Sequence, residues 1–205
     1  MKKLVKKGLI WLTTIFFCDI VIFGATPKSI TRRNGKMELK EVLLKRRSIR
    51  KFTNEPVSDG YVDELLNAAM SGPSACNRCP WEFFVVTNSE VLEQLRGASR
   101  FTKMNAPLAL VVCGNLSRAL PVQLSSFWIQ DCSAATENIL LRATDLGLGA
   151  VWCGVHPQKR AEKRVSEILG LKSNWIPLNI IWIGYPDEEP APRTQFDSKR
   201  VHFIK

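Results

Sequence analysis

The stretch Trp128–Pro157, WIQDCSAATENILLRATDLGLGAVWCGVHP, contains a change of hydrophobic period from which the architecture can be read. Its first part belongs to a helix expected over about Val122–Leu146, with Phe127, Ala134, Ile139 and Leu141 in a broad apolar surface. Gly147 and Gly149 end that helix, glycine being the residue that leaves a helix at least steric cost. Ala150–Cys153 then reads as a short strand without a polar face, and Pro157 opens a charged helix that stops at Gly170.

The same alternation of helices and short apolar strands extends in both directions. Upstream, LALVVC (Leu108–Cys113) and FFVVT (Phe83–Thr87) read as strands, and Asn88 or Ser89 caps the helix VLEQLRG between them. Ser58 opens a helix in which Val62, Leu65, Leu66 and Ala69 recur at helical spacing, and Gly72-Pro73 stops it. Residues 38–47 show helical spacing through Leu39, Val42 and Leu43, and Phe52–Val57 is an extended link. Downstream, NIIWI (Asn179–Ile183) is the last strand. Strands with no polar face need cover on both sides, so the reading is one α+β domain over residues 37–205, a central sheet with helices on both faces.

Charge and composition exclude several function classes. The chain of 205 residues is 45% hydrophobic and 23% charged, which is globular rather than disordered. Its net charge is +10, but residues 1–36 carry +7 of it, leaving +3 for the rest. A nearly balanced body does not carry the electrostatic footprint of a nucleic-acid binder. Only two histidines, His156 and His202, are present, which disfavours a His-rich metal centre, and no metal site is expected.

Residues 1–36 form a basic and apolar extension: MKKLVKK, then GLIWLTTIFFCDIVIFGA, then TPKSITRRNGK. A signal peptide or membrane anchor over residues 8–25 is one reading. Against it, Asp19 sits in the middle of the apolar run, where a charge costs roughly 2.5–3.5 kcal/mol on insertion scales. The other reading starts the working chain at Met37 and makes the protein cytoplasmic, any membrane association being confined to residues 1–36.

Three segments could carry chemistry. Arg46-Arg47-Ser48-Ile49-Arg50-Lys51 offers four cations and a hydroxyl, a donor set suited to a phosphate, although such a run also suits a solvated helix end. Gly72–Trp81 is a polar loop stiffened by Pro73 and Pro80 that could cradle a planar heterocycle or simply join a helix to a strand. It contains Cys76-Asn-Arg-Cys79, readable as a redox pair or as two neighbouring thiols. Gly149–Gly154 ends a strand where backbone can meet a ligand closely.

Taken in order, LLKRRSIRKF, PSACNRCPWEFFVV, the Trp128–Pro157 stretch, IIWIGYP and PRTQFDSKRVH resemble the nitroreductase family of FMN-dependent oxidoreductases, in a compact form. The resemblance runs from about Met37 to the C-terminus. It implies a mostly antiparallel central sheet and a homodimer. It implies FMN as cofactor, with Arg46, Arg47, Ser48 and Arg50 on its phosphate and ribityl chain. Pro73, Ser74, Ala75 and Asn77 would reach the flavin from the partner subunit. Trp152, Cys153 and Gly154 would face flavin N5, and Arg193 would close on the phosphate. Two positions depart from the family pattern: Cys79 stands where Gln is common, and Gln195 where a second cation is common. Lys199 or Arg200 could replace that cation.

The activity implied is hydride transfer from NAD(P)H through the flavin to small electron-poor acceptors, nitroaromatics or quinones, in a ping-pong cycle with no catalytic acid or base from the protein. The rivals are another flavin chemistry on the same fold and a membrane-associated flavin or thiol sensor using Cys76 and Cys79.

Overall fold

A computed structural model describes residues 37–192 and 194–205. The extension over residues 1–36 and the expected phosphate contact of Arg193 therefore lie outside the described residues. Strands β1 (Trp81–Val86), β2 (Leu108–Asn115), β3 (Gly149–Gly154) and β4 (Trp175–Gly184) form one sheet in the order β1-β2-β4-β3. Every pairing is antiparallel.

Alternation along these strands sends side chains into two separate cores. Leu108, Leu110 and Val112 of β2 enter one core with Ile181 and Ile183 of β4, while Ala109, Val111 and Cys113 enter the other with Ile180 and Trp182. Helices α2 (Asp59–Met70) and α4 (Phe127–Asp145) cover the first face, and α3 (Ser89–Arg96) and α5 (Lys159–Leu169) cover the second. An antiparallel sheet can leave one face to water, but this one is buried on both, which explains why its strands lack a polar alternation. Each fully buried Leu or Ile contributes roughly 1.5–3 kcal/mol, so the paired cores are the main stabilising term.

Local signals account for the helix ends. The Ser58 side chain accepts from the Tyr61 backbone N–H at the start of α2, and Asn88 accepts from Glu90 and Val91 at the start of α3. Gly170 closes α5 in the left-handed conformation at φ 59°. Among the described residues no helix is long and apolar enough to cross a membrane.

The long helix departs from its sequence reading in two ways. Val122–Leu124 is a short 3₁₀ turn, and α4 itself begins at Phe127. The Ser125 hydroxyl donates to the Val122 carbonyl at 2.7 Å, a local bond that competes with helix propagation. The core face is also different. Trp128, Cys132, Ala135, Ile139, Leu140 and Ala143 are buried, whereas Phe127, Ala134 and Leu141 lie half-buried on another side of the helix. Helix α1 (Leu39–Lys45) buries only Val42 and leaves Leu39 and Leu43 exposed. The strands run longer than their apolar centres: β4 continues back through Pro177 to Trp175, with an irregular register opposite Val112 and Cys113 where Leu178 is passed over.

Candidate active site

The arginine-rich segment leaves α1 and runs beside β3. Ser48 forms an isolated parallel bridge with Ala150, and the Ile49 N–H donates to the Ala150 carbonyl at 3.0 Å. The contact is close enough to dictate a glycine: a Cβ on Gly149 would lie 2.7 Å from Ile49 Cγ2. Gly149 therefore lets the segment approach the strand, while Gly147, at φ 78°, makes the exit from α4.

Beyond the bridge, Phe52 pairs with Pro186 and the Thr53 N–H donates to the Tyr185 carbonyl at 2.9 Å. Glu188 then ties the C-terminal tail to the segment. Its Oε1 accepts from the Arg50 N–H at 2.5 Å and from the Lys51 N–H at 3.3 Å. The Arg50 N–H is the main cause that holds the Glu188 carboxyl below the usual carboxylate range. The Arg47 guanidinium donates to the Ala191 carbonyl further along the tail.

These contacts leave a cavity of about 230 Å³ lined by Arg46, Arg47, Ser48, Thr194 and Gln195, with Leu43 and Leu44. Guanidinium, hydroxyl and amide groups line it, and among the described residues no carboxylate does. Arg46 Nε lies 3.2 Å from Glu137 Oε1, so helix α4 orients it. Gln195, read above as a departure from the family pattern, lines this cavity.

At the other end of β3, Trp152 is half-buried and Cys153 is buried. A Cβ placed on Gly154 would meet nothing within 4 Å, so the backbone there is open to a flat ligand. Burial pushes the Cys153 thiol up to about 11, and the nearby Arg50 charge pulls against that shift. Arg50 itself is exposed and does not line the cavity; its guanidinium donates to the Ser48 carbonyl at 3.4 Å.

The loop Pro73–Asn77 follows α2 and contains a 3₁₀ turn over Ala75–Asn77. Its anchor is the buried carboxylate of Asp131, which accepts from the Ala75 N–H at 2.9 Å. Cys76, Asn77 and Cys79 all have left-handed backbone, with φ of 50°, 53° and 45°. Cys79 Sγ is 3.6 Å from the Ser74 hydroxyl, whose oxygen accepts from the Cys79 N–H at 3.0 Å. Pro73, Ser74, Ala75 and Asn77 do not line the cavity that holds Arg46 and Arg47. Arg200 does not line it either; it is exposed, with Nε 3.4 Å from Asp197.

Of the cations read from the sequence, Arg46 and Arg47 line the cavity and Arg50 does not, and the acids that position the site have no such signal. Glu188, Glu137 and Asp131 carry no sequence pattern, except that Asp131 is an acid on the face of a helix that otherwise buries apolar groups.

The Nitroreductase family model matches residues 43–102 and 98–185. The chain belongs to the nitroreductase family. A relative from Methanothermobacter thermautotrophicus, whose name joins NADH dehydrogenase to NAD(P)H nitroreductase, is 41% identical over 173 residues, covering 83% of this chain and 89% of the relative. An FMN-dependent nitroreductase from Clostridium difficile superposes with a TM-score of 0.73 at 35% identity, covering 80% of this chain and 98% of that one. The NADPH:FMN oxidoreductase of Vibrio harveyi, solved with NAD+, superposes with a TM-score of 0.73 at 27% identity, covering 82% of this chain and 77% of that one. This nitroreductase-family chain thus shares nearly the full length of the compact member, and the larger enzyme is longer than the matched region.

Proposed function

We propose that the protein is an FMN-dependent oxidoreductase that moves a hydride from NAD(P)H to small electron-poor acceptors such as nitroaromatics or quinones, as a cytoplasmic homodimer built on residues 37–205. The observation that carries this reading is that one strand links two features. The arginine segment that lines the cavity bridges to the start of β3 at Ser48–Ala150, and the same strand ends in the open backbone at Gly154.

The residues fit the cofactor. Arg46, Arg47 and Ser48 would hold the phosphate, whose oxygens match guanidinium forks, with Thr194 and Gln195 closing the cavity. Arg193, next to Thr194, is assigned to the same phosphate, and Arg200 to its outer edge. Trp152, Cys153 and Gly154 present strand backbone to the ring, and the vacant Cβ position of Gly154 leaves room for it. Bound FMN supplies a redox centre at N5 that accepts a hydride from the reductant and passes it to the acceptor. Arg50, from the same segment, would supply positive charge that favours the anionic form that reduction produces. Asp131 holds the Pro73–Asn77 loop in a fixed shape, and that loop completes the site of the partner subunit. No side chain needs to act as a general acid or base.

An absorbance scan of the purified protein tests the reading. The expected result is a flavin spectrum bleached by NADPH without oxygen and restored by menadione or nitrofurazone. A colourless protein that also fails to take up added FMN would overturn it.

A further inference from the structure

On the face of the sheet covered by α3 and α5 lies a second concavity, separate from the arginine-lined cavity. It has a volume of about 720 Å³ and runs between the loop after α3 and the first turns of α5. Gly97, Ala98 and Ala161 form part of its lining, and Arg100, Lys103, Arg160 and Arg164 supply its charge. No acidic residue lines it, and none of the four cations is in an ion pair among the described residues. Glu162, the nearest acid on α5, is turned the other way and is held by His156 at 2.8 Å and Lys159 at 3.0 Å. A cleft lined by one sign of charge focuses the field and draws in the opposite charge.

Two further features narrow the ligand. Phe101, half-exposed on the lining, carries the Arg100 guanidinium 4.6 Å above its ring centroid, so the site offers a stacking surface beside its cations. The wall is also fixed in place. The buried Thr102 hydroxyl lies within hydrogen-bond distance of the Arg96 and Ser99 carbonyls, between which its one proton is shared, and accepts from the Ser99 N–H. The groove adjoins the flavin site, because Cys153 Sγ lies 3.1 Å from the Phe101 carbonyl.

We infer that this groove binds the adenosine-phosphate end of the reductant and makes the protein prefer NADPH to NADH. The inference rests on the oxidoreductase reading above. Phe101 and Arg100 stack on the adenine, and Arg160 and Arg164, one turn apart on α5, grip the 2′-phosphate with Lys103 opposite.

Adenosine 2′,5′-bisphosphate titrated into the holoprotein by calorimetry, alongside steady-state kinetics, tests it. In the Arg160→Ala/Arg164→Ala variant the bisphosphate should bind at least tenfold more weakly. The ratio of kcat/KM for NADPH to that for NADH should also fall at least tenfold. Equal bisphosphate affinity in the two proteins, or an unchanged ratio, would overturn the inference. Bisphosphate binding that depends on the two arginines in a protein without flavin turnover would keep the groove as a nucleotide site and remove the oxidoreductase reading instead.

Discussion

At the scale of single residues, charge and close contact decide the behaviour of the site. Each charge-assisted phosphate contact is worth about 1.5–3 kcal/mol, so Arg46→Ala combined with Arg47→Ala, the two guanidinium groups that line the cavity, should release FMN during gel filtration; flavin absorbance in the protein peak reads this directly. Gly149→Ala would set a Cβ 2.7 Å from Ile49 Cγ2. Overpacking of this kind costs about 1–3 kcal/mol. The variant should show a lower denaturation midpoint and reduced flavin content, because the clash pushes the arginine segment away from β3. The thiols divide just as clearly. Burial raises Cys153 to about 11 and Cys132 to about 12, from an ordinary value of 9.0, and raises Cys113 further. At pH 8 in a Cys18→Ser/Cys76→Ser background, Cys79, which lies outside the Pro73–Asn77 loop, should therefore react with a disulfide reagent well before the three buried thiols. A raised thiol value in the folded state stabilises the fold below about pH 9. That contribution is lost as pH rises through about 11, so urea midpoints measured from pH 8 to 11 should fall at the alkaline end.

At the scale of elements, caps and periodicity made the helices legible, and the faces they bury were less so. Ser58, Asn88 and Gly170 stand where the sequence reading puts the starts of α2 and α3 and the end of α5. Asn88→Ala removes the acceptor for two backbone N–H groups, a loss of about 1 kcal/mol. Helix α3 leads directly into the wall of the basic groove, so hydrogen exchange should quicken over residues 89–103 in that variant before it does in the sheet. The long helix is less legible, because apolar residues occupy more than one of its sides. Phe127, Ala134 and Leu141 satisfy helical spacing as well as Trp128, Cys132 and Ala135 do. Periodicity alone does not say which set faces its own sheet.

At the scale of the whole molecule, that leftover seam points to assembly. Phe127, Ala134 and Leu141 recur every seven residues and belong to neither core. The expected homodimer buries them, together with the Pro73–Asn77 loop held by Asp131 on the same helix. Sedimentation of the flavin-bound protein should give a dimer, and Ala134→Arg, which sets a bulky cation in the seam, should shift it towards monomer with loss of flavin. A flavin-saturated monomer in the unsubstituted protein would contradict this arrangement.

Local periodicity, caps and chain order are carried by residues a few positions apart, so the sequence by itself determined the elements, the need for cover on both faces of the sheet, and the family's run of segments. The sheet order and the core-facing side of α4 depended on packing between distant elements. So did the anchors of the site: Glu188 meets Arg50 across 138 positions, and Asp131 meets Ala75 across 56. The basic groove is of the same kind, with Arg100 and Lys103 contributed by one loop and Arg160 and Arg164 by another helix. Only the tertiary structure could bring such groups together, because a hydrogen bond or a shared field depends on ångström separations in space that chain spacing does not encode.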